Sequence, residues 1–212
     1  MEFSCVDMDN WPRREHFEHY RGAVPCAYSL TVDVDVTEVK ASGLKFYPAM
    51  VCLISKAVNR REEFKLFMDR DKNLKIYRHV HPSYTVFHED DSTFSCLWSE
   101  FSESFEVLYD AVCNDMKSFD GAHGFTGKPD EPKNCFNISA IPWASFTSFN
   151  LMMPESDYFQ PIFTMGRYRE ENGRLQMPLA LQIHHAVCDG FHAARLLNEI
   201  SALCAGFRSH NS

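Results

Sequence analysis

The chain has 212 residues, enough for one well-cored domain, and nothing in its composition marks a boundary that would split it. Its formal charge of -8 leaves no basic stripe to neutralise phosphates, which argues against a nucleic-acid partner. The 8 cysteines are scattered without metal or redox spacing, no apolar run reaches membrane-span length, and the acidic N-terminus lacks a secretory h-region, so a cytoplasmic protein with reduced thiols is expected. In chain order, Trp11 to Tyr20 reads as a helix opened by Pro12. Tyr28 to Val36 is the clearest strand, with Leu30, Val32, Val34 and Val36 on one face and Thr31, Asp33 and Asp35 on the other. A short loop over 37–44 leads to a helix from Phe46 to Arg61, entered at Pro48. Asp71-Lys72-Asn73 turns between two short strands, and Tyr84 to His88 and Ser92 to Trp98 are further strands. Ser102 to Phe119 has helical periodicity through Phe105, Leu108, Val112 and Met116, and the Gly-, Pro- and charge-rich stretch 120–133 reads as a loop. Phe136 to Leu151 is strand-like but interrupted by Pro142, while Glu171-Asn172-Gly173 marks a hairpin between Pro161–Tyr168 and Arg174–His185. The order of elements is that of an α/β protein.

The most informative segment is His184-His185-Ala186-Val187-Cys188-Asp189-Gly190. Leu179, Leu181 and Ile183 share one face of a strand that ends there. From Phe191 the apolar residues switch to helical spacing through Ala194, Leu197 and Ile200. A histidine at a strand exit is suited to proton transfer because its ordinary pKa lies near neutrality. On position alone, satisfied structural imidazoles are the commoner outcome, and Asp189 could serve simply as the N-cap of the following helix. A metal site from His184, His185, Asp189 and His192 is disfavoured, since adjacent strand residues point to opposite faces; no metal is expected. Phe is abundant, at 18 residues, and the aromatic clusters suggest an apolar pocket for a small ligand as well as a large core.

Five separated blocks carry a wider resemblance: Arg13-Arg14-Glu15-His16-Phe17-Glu18, Lys45-Phe46-Tyr47-Pro48, Tyr84-Thr85-Val86-Phe87-His88-Glu89, Asn137-Ile138-Ser139-Ala140-Ile141-Pro142-Trp143, and His184 to His192. In this order and at these separations they resemble the type A chloramphenicol acetyltransferase family, over nearly the whole length from Trp11 to Cys204. The bare His-X-X-X-Asp-Gly pattern is less specific, recurring in lipoamide acyltransferases, carnitine acyltransferases and peptide-synthetase condensation domains. The resemblance implies a CoA-dependent acyltransferase two-layer sandwich, a mixed β-sheet with helices packed on one face. It implies acetyl transfer from acetyl-CoA to the primary hydroxyl of chloramphenicol in a ternary complex, without a covalent acetyl-enzyme, conferring antibiotic resistance. His185 matches the general base, its other ring nitrogen held by a backbone carbonyl, and Ser139 the donor to the oxyanion. Thr164 matches a threonine holding a water beside that intermediate, and Asp189 with Arg13 a supporting ion pair rather than a triad acid. Tyr20, Tyr28, Thr85, Phe94 and Leu151 resemble drug-pocket residues. The resemblance further implies a homotrimer with active sites between subunits, the base from one and most of the pocket from the next. Two segments depart from the family pattern: 151–157 is one residue shorter, and 37–44 is also short. The alternatives carried forward are a different hydroxyl or thiol acceptor and a non-catalytic binder of apolar ligands.

Overall fold

The computed structural model describes residues 2–151 and 157–208. The chain opens with a short strand, β1 (Phe3–Cys5), then α1 (Arg14–Glu18), which widens into a π-helical turn, His19–Ala23. There follow β2 (Ala27–Asp35), α2 (Thr37–Ala41), α3 (Phe46–Asn59), β3 (Leu66–Met68), β4 (Leu74–Tyr77), β5 (His81–His88) and β6 (Thr93–Trp98). Then come α4 (Phe105–Ser118), β7 (Cys135–Ile141), β8 (Ile162–Gly166), β9 (Arg169–Glu171), β10 (Arg174–His184) and α5 (Gly190–Ala205).

The main sheet has the order β2-β10-β8-β7-β5-β6, with β9 pairing the start of β10; β1, β4 and β3 form a small separate sheet. Pairings β5–β7 and β7–β8 are parallel, and the others in the main sheet are antiparallel. The mixed sheet follows from chain connectivity. Tight turns such as Asn172-Gly173, both at positive φ, return the chain antiparallel, whereas the parallel neighbours β5, β7 and β8 are joined by long excursions. Helices lie on one face. Met177, Leu179, Leu181 and Ile183 of β10 are buried there, and α3 contributes ten buried residues to the same core. Ala180, Gln182 and His184 alternate to the opposite face.

Most predicted elements are present, with four differences. The helix expected from Trp11 to Tyr20 is α-helical only over Arg14–Glu18, with Arg13 rather than Pro12 at its entry, and continues as the π-helical turn. Residues 37–41, expected as loop, form α2, because Val39 is fully buried and draws the segment onto α5 and α3. The strand expected from Phe136 to Leu151 stops at Ile141; Pro142 lacks the N–H a ladder needs, and a turn follows. β1 is exposed throughout, so it carries no alternating signature to read. Every cysteine is a free thiol, and among the described residues no helix is long and apolar enough to cross a membrane.

Gly166 ends β8 where a chain segment crosses the sheet. A Cβ there would lie 2.6 Å from Pro178 Cγ and 2.8 Å from Phe146 Cε1. Gly166→Ala should therefore cost about 1–3 kcal/mol through overpacking. Equilibrium urea unfolding checks this; an unchanged midpoint would contradict the packing assigned to this corner.

Candidate active site

Two groups of candidate residues form, and within one chain they do not meet. The first surrounds the turn after β10. His185 N–H donates to Cys26 O at 2.9 Å, extending the β2–β10 ladder by one residue, and Val187 N–H returns to His184 O at 3.3 Å. The His185 ring lies flat against Tyr20, with centroids 3.8 Å apart and an interplanar angle of 7°, and meets the edge of Tyr28 at 5.2 Å. Tyr20 reaches this position because it sits in the π-helical turn, whose extra residue rotates its side chain out of α-helical phase. The Tyr28 hydroxyl lies 3.7 Å from Cys188 Sγ. Burial, reinforced by Cys188, pushes its pKa far up, so it remains a neutral phenol.

The expected backbone carbonyl is not on His185. Its Nδ1 is buried with no hydrogen-bond partner, and the two tyrosine rings set the plane of the imidazole instead. The tautomer of a histidine is set by the hydrogen bond that its second nitrogen makes, so the isolated chain leaves it open.

Asp189 takes both roles the sequence left open. It is the N-cap of α5, accepting from Phe191 N–H at 3.2 Å, and its other oxygen accepts from Arg13 Nη1 at 2.6 Å. His192 Nδ1 lies 2.6 Å from the capping oxygen. With both oxygens occupied, Asp189 makes no hydrogen bond to His185, and no Ser-His-Asp relay forms among the described residues. Burial alone would raise the Asp189 pKa, but the hydrogen bonds and charges of Arg13 and His192 prevail and hold it at about 2. Arg13 comes from the start of α1, so one ion pair ties the N-terminal segment to the turn after β10.

The second group lies on the sheet face away from the helices. Ser139 on β7 and Thr164 on β8 are register partners, with their hydroxyls 3.0 Å apart; Ser139 Oγ also reaches Phe163 O at 3.3 Å. Extending the Tyr84↔Ile138 register by one residue brings Thr85 alongside Ser139. Phe94 pairs with Phe87, two residues beyond Thr85, and therefore shares that face; the residue is 47% exposed. Leu151 is anchored over the same face by its N–H to Gln182 Oε1 at 2.7 Å. Residues 152–156 of the shortened segment lie outside the described residues.

Thr164 pairs with Ala180 on β10, five residues before His185. At ~3.3 Å per residue and ~4.8 Å per strand, His185 is about 16 Å along and about 10 Å across the sheet from Ser139. Their side chains cannot touch.

A cleft of about 630 Å³ adjoins the second group, lined in part by Tyr47, Ala140, Trp143, Met165, Arg167 and Tyr168. Ala140 and Met165 directly follow Ser139 and Thr164 in sequence, and Thr85 and Phe87 also line the cleft, so it lies beside the two hydroxyls. Of the residues expected in the drug pocket, Thr85 thus lines this cleft, and Tyr47 and Trp143 stand in two further blocks that carried the resemblance.

A family profile described as "Chloramphenicol acetyltransferase" matches residues 1–201. A protein of Clostridium perfringens named chloramphenicol acetyltransferase is 46% identical over 204 residues, covering 96% of this chain and 99% of its own length. Among solved structures, one titled chloramphenicol acetyltransferase superposes with a TM-score of 0.83 at 22% identity, covering 96% of this chain and all of the other. A dihydrolipoamide acetyltransferase of Azotobacter vinelandii follows at a TM-score of 0.66 and 18% identity, covering 91% and 86%. The mixed sheet with helices on one face is thus the CoA-dependent acyltransferase fold, and the protein is an acyltransferase. Within that class, the chain belongs to the chloramphenicol acetyltransferase family.

Asp189 has a depressed folded-state pKa, so its contribution to stability is present above the ordinary carboxylate pKa of 3.8 and is lost as pH falls toward 2. Because the side chain is 35% exposed, about 1 kcal/mol is expected rather than the full shift. Asp189→Asn should lose stability and activity together at neutral pH, and the gap from wild type should narrow below pH 4. Thermal melts across pH, alongside turnover, check this; full stability with a purely chemical defect would favour a triad.

Proposed function

We propose that this protein transfers the acetyl group of acetyl-CoA to the primary hydroxyl of chloramphenicol, in a site assembled from two copies of the chain. The observation that carries the reading is the division of the candidate residues. His185, Tyr20 and Tyr28 stand around the turn after β10, while Ser139, Thr164, Thr85, Phe94 and Leu151 stand on the sheet face away from the helices, beyond side-chain reach. Each half lacks what the other holds: a base with no oxyanion donor, and a hydroxyl pair in an apolar surround with no base. A contact between copies joins them, and the same contact repeated three times closes a ring. The trimer implied by the resemblance is such a ring.

In the completed site the neutral His185 imidazole accepts the hydroxyl proton as the oxygen attacks the thioester carbonyl, a contribution of roughly 10²–10⁴-fold. The tetrahedral oxyanion accepts a hydrogen bond from Ser139 Oγ, with Thr164 beside it positioned to hold a water. Collapse expels the CoA thiolate, and His185 returns the proton to sulfur. Asp189 and Arg13 hold the turn in place and stay out of the proton path. The cleft beside Ser139 suits the donor, with Trp143, Tyr47 and Tyr168 offering apolar walls to the pantetheine arm and Arg167 a cation for its phosphates. Phe94, Leu151, Tyr20 and Tyr28 wall the aromatic acceptor. No step calls on a metal ion. Acetylating the drug's hydroxyl would give a host cell resistance, and acetyl-CoA supplies the reaction in the cytoplasm.

The test follows thioester consumption in acetyl-CoA with and without chloramphenicol. Consumption should require the drug and be abolished in His185→Ala, and Ser139→Ala should lower kcat by about 10²–10³. Consumption independent of the drug, or undiminished in His185→Ala, overturns the reading; turnover only with another hydroxyl or a thiol compound would reassign the acceptor.

A further inference from the structure

The turn that presents His185 is closed by the histidine before it. Ala186 N–H donates to His184 Nδ1 at 3.1 Å, in a buried setting. Val187 N–H bonds His184 O, so residues 184–187 form a four-residue turn with His184 in first position. That position favours Asp, Asn and Ser, whose short side chains accept the N–H two residues on. His184 performs the same closure with an imidazole nitrogen. His185 lies between the two ends of this bond, and its own N–H is engaged by Cys26 O. Three successive backbone donors, at 185, 186 and 187, are thereby fixed.

We propose that His184 is a positioning residue for acetyl transfer, its Nδ1 closing a ring around the His185 peptide and fixing the direction in which the His185 side chain leaves the backbone. The proposal rests on His185 being the base. It matters because the His185 ring has aromatic walls but no hydrogen bond at Nδ1, so the backbone carries much of its placement. Accepting from Ala186 requires a lone pair on Nδ1, hence a neutral His184 ring with its hydrogen on Nε2. The surroundings favour that form. Burial lowers the pKa of His184, and Phe159 packs edge-on at 5.2 Å. Of the charged and titratable groups facing it, Asp157 favours the cation while His185 and Arg21 oppose it, and burial is the largest influence.

The experiment compares His184→Asn, His184→Gln and His184→Ala, and reads the tautomer of wild-type His184 by ¹⁵N-resolved NMR of the imidazoles. Asparagine returns an acceptor at the same distance from the backbone and should keep kcat within about threefold of wild type. Glutamine sets the acceptor one methylene too far, and alanine removes it. Both should lose about ten- to a hundredfold in kcat with KM for either substrate within about twofold, the signature of a displaced reacting group. Wild-type His184 should appear as the Nε2–H tautomer. An Nδ1–H tautomer overturns the proposal, as does equal loss in all three variants or no loss in any. The NMR reading needs no variant to fold and no turnover, so it separates failure of this proposal from failure of the acetyl-transfer reading, which His185→Ala tests.

Discussion

A β-strand advances about 3.3 Å per residue, and β10 spends five residues between the row that holds Thr164 and Ser139 and the turn that holds His185. Hydrogen-bond register fixes that separation, and the register is itself fixed by burial: slipping β10 by one residue would turn Leu179, Leu181 and Ile183 out of the core. The distance cannot be closed by a rotamer change or a loop movement. The proposed assembly completes these two half-sites with another copy of the same chain.

On the base side, several weak restraints do the work of one strong one. Tyr20 and Tyr28 set the ring plane, Cys26 and the His184 ring hold the backbone, and the Arg13–Asp189 pair anchors the far end of the turn while Asp189 caps α5. Asp189 is a carboxylate used for shape. Its charge is taken up by a guanidinium and by helix N-terminal donors, and leaves nothing directed at the His185 imidazole. This explains how an aspartate four residues after His185 can stand apart from a triad.

The sequence made the strands that alternate legible, because half-buried strands such as β2 must alternate, and it made the Asn172-Gly173 turn legible through the positive φ those residues tolerate. It did not reveal α2, whose five residues are too few to show a period and are held by the burial of Val39. Nor did it reveal the π-helical turn, since a single inserted residue that redirects Tyr20 leaves no mark in composition. Among site residues, the grouping of Ser139 with Thr164, and of Arg13 with Asp189, came from matched blocks rather than from spacing, for contacts 25 and 176 residues apart have no local signature. His184 shows the opposite failure. Read by position it was an ordinary structural histidine, and only the bond to Ala186 N–H shows what that structural part consists of.

In the proposed ring, the base and the oxyanion donor of each site come from different copies of the chain. Co-expression of His185→Ala and Ser139→Ala chains, carrying different tags and purified together, tests it most directly. In a mixed ring, a site that draws His185 from the Ser139→Ala chain and Ser139 from the His185→Ala chain is intact; every mixed trimer has one such site, so the doubly purified sample should show about a third of wild-type activity. Mixed oligomers no more active than the two variants purified separately would contradict the claim and require both residues to act within one chain.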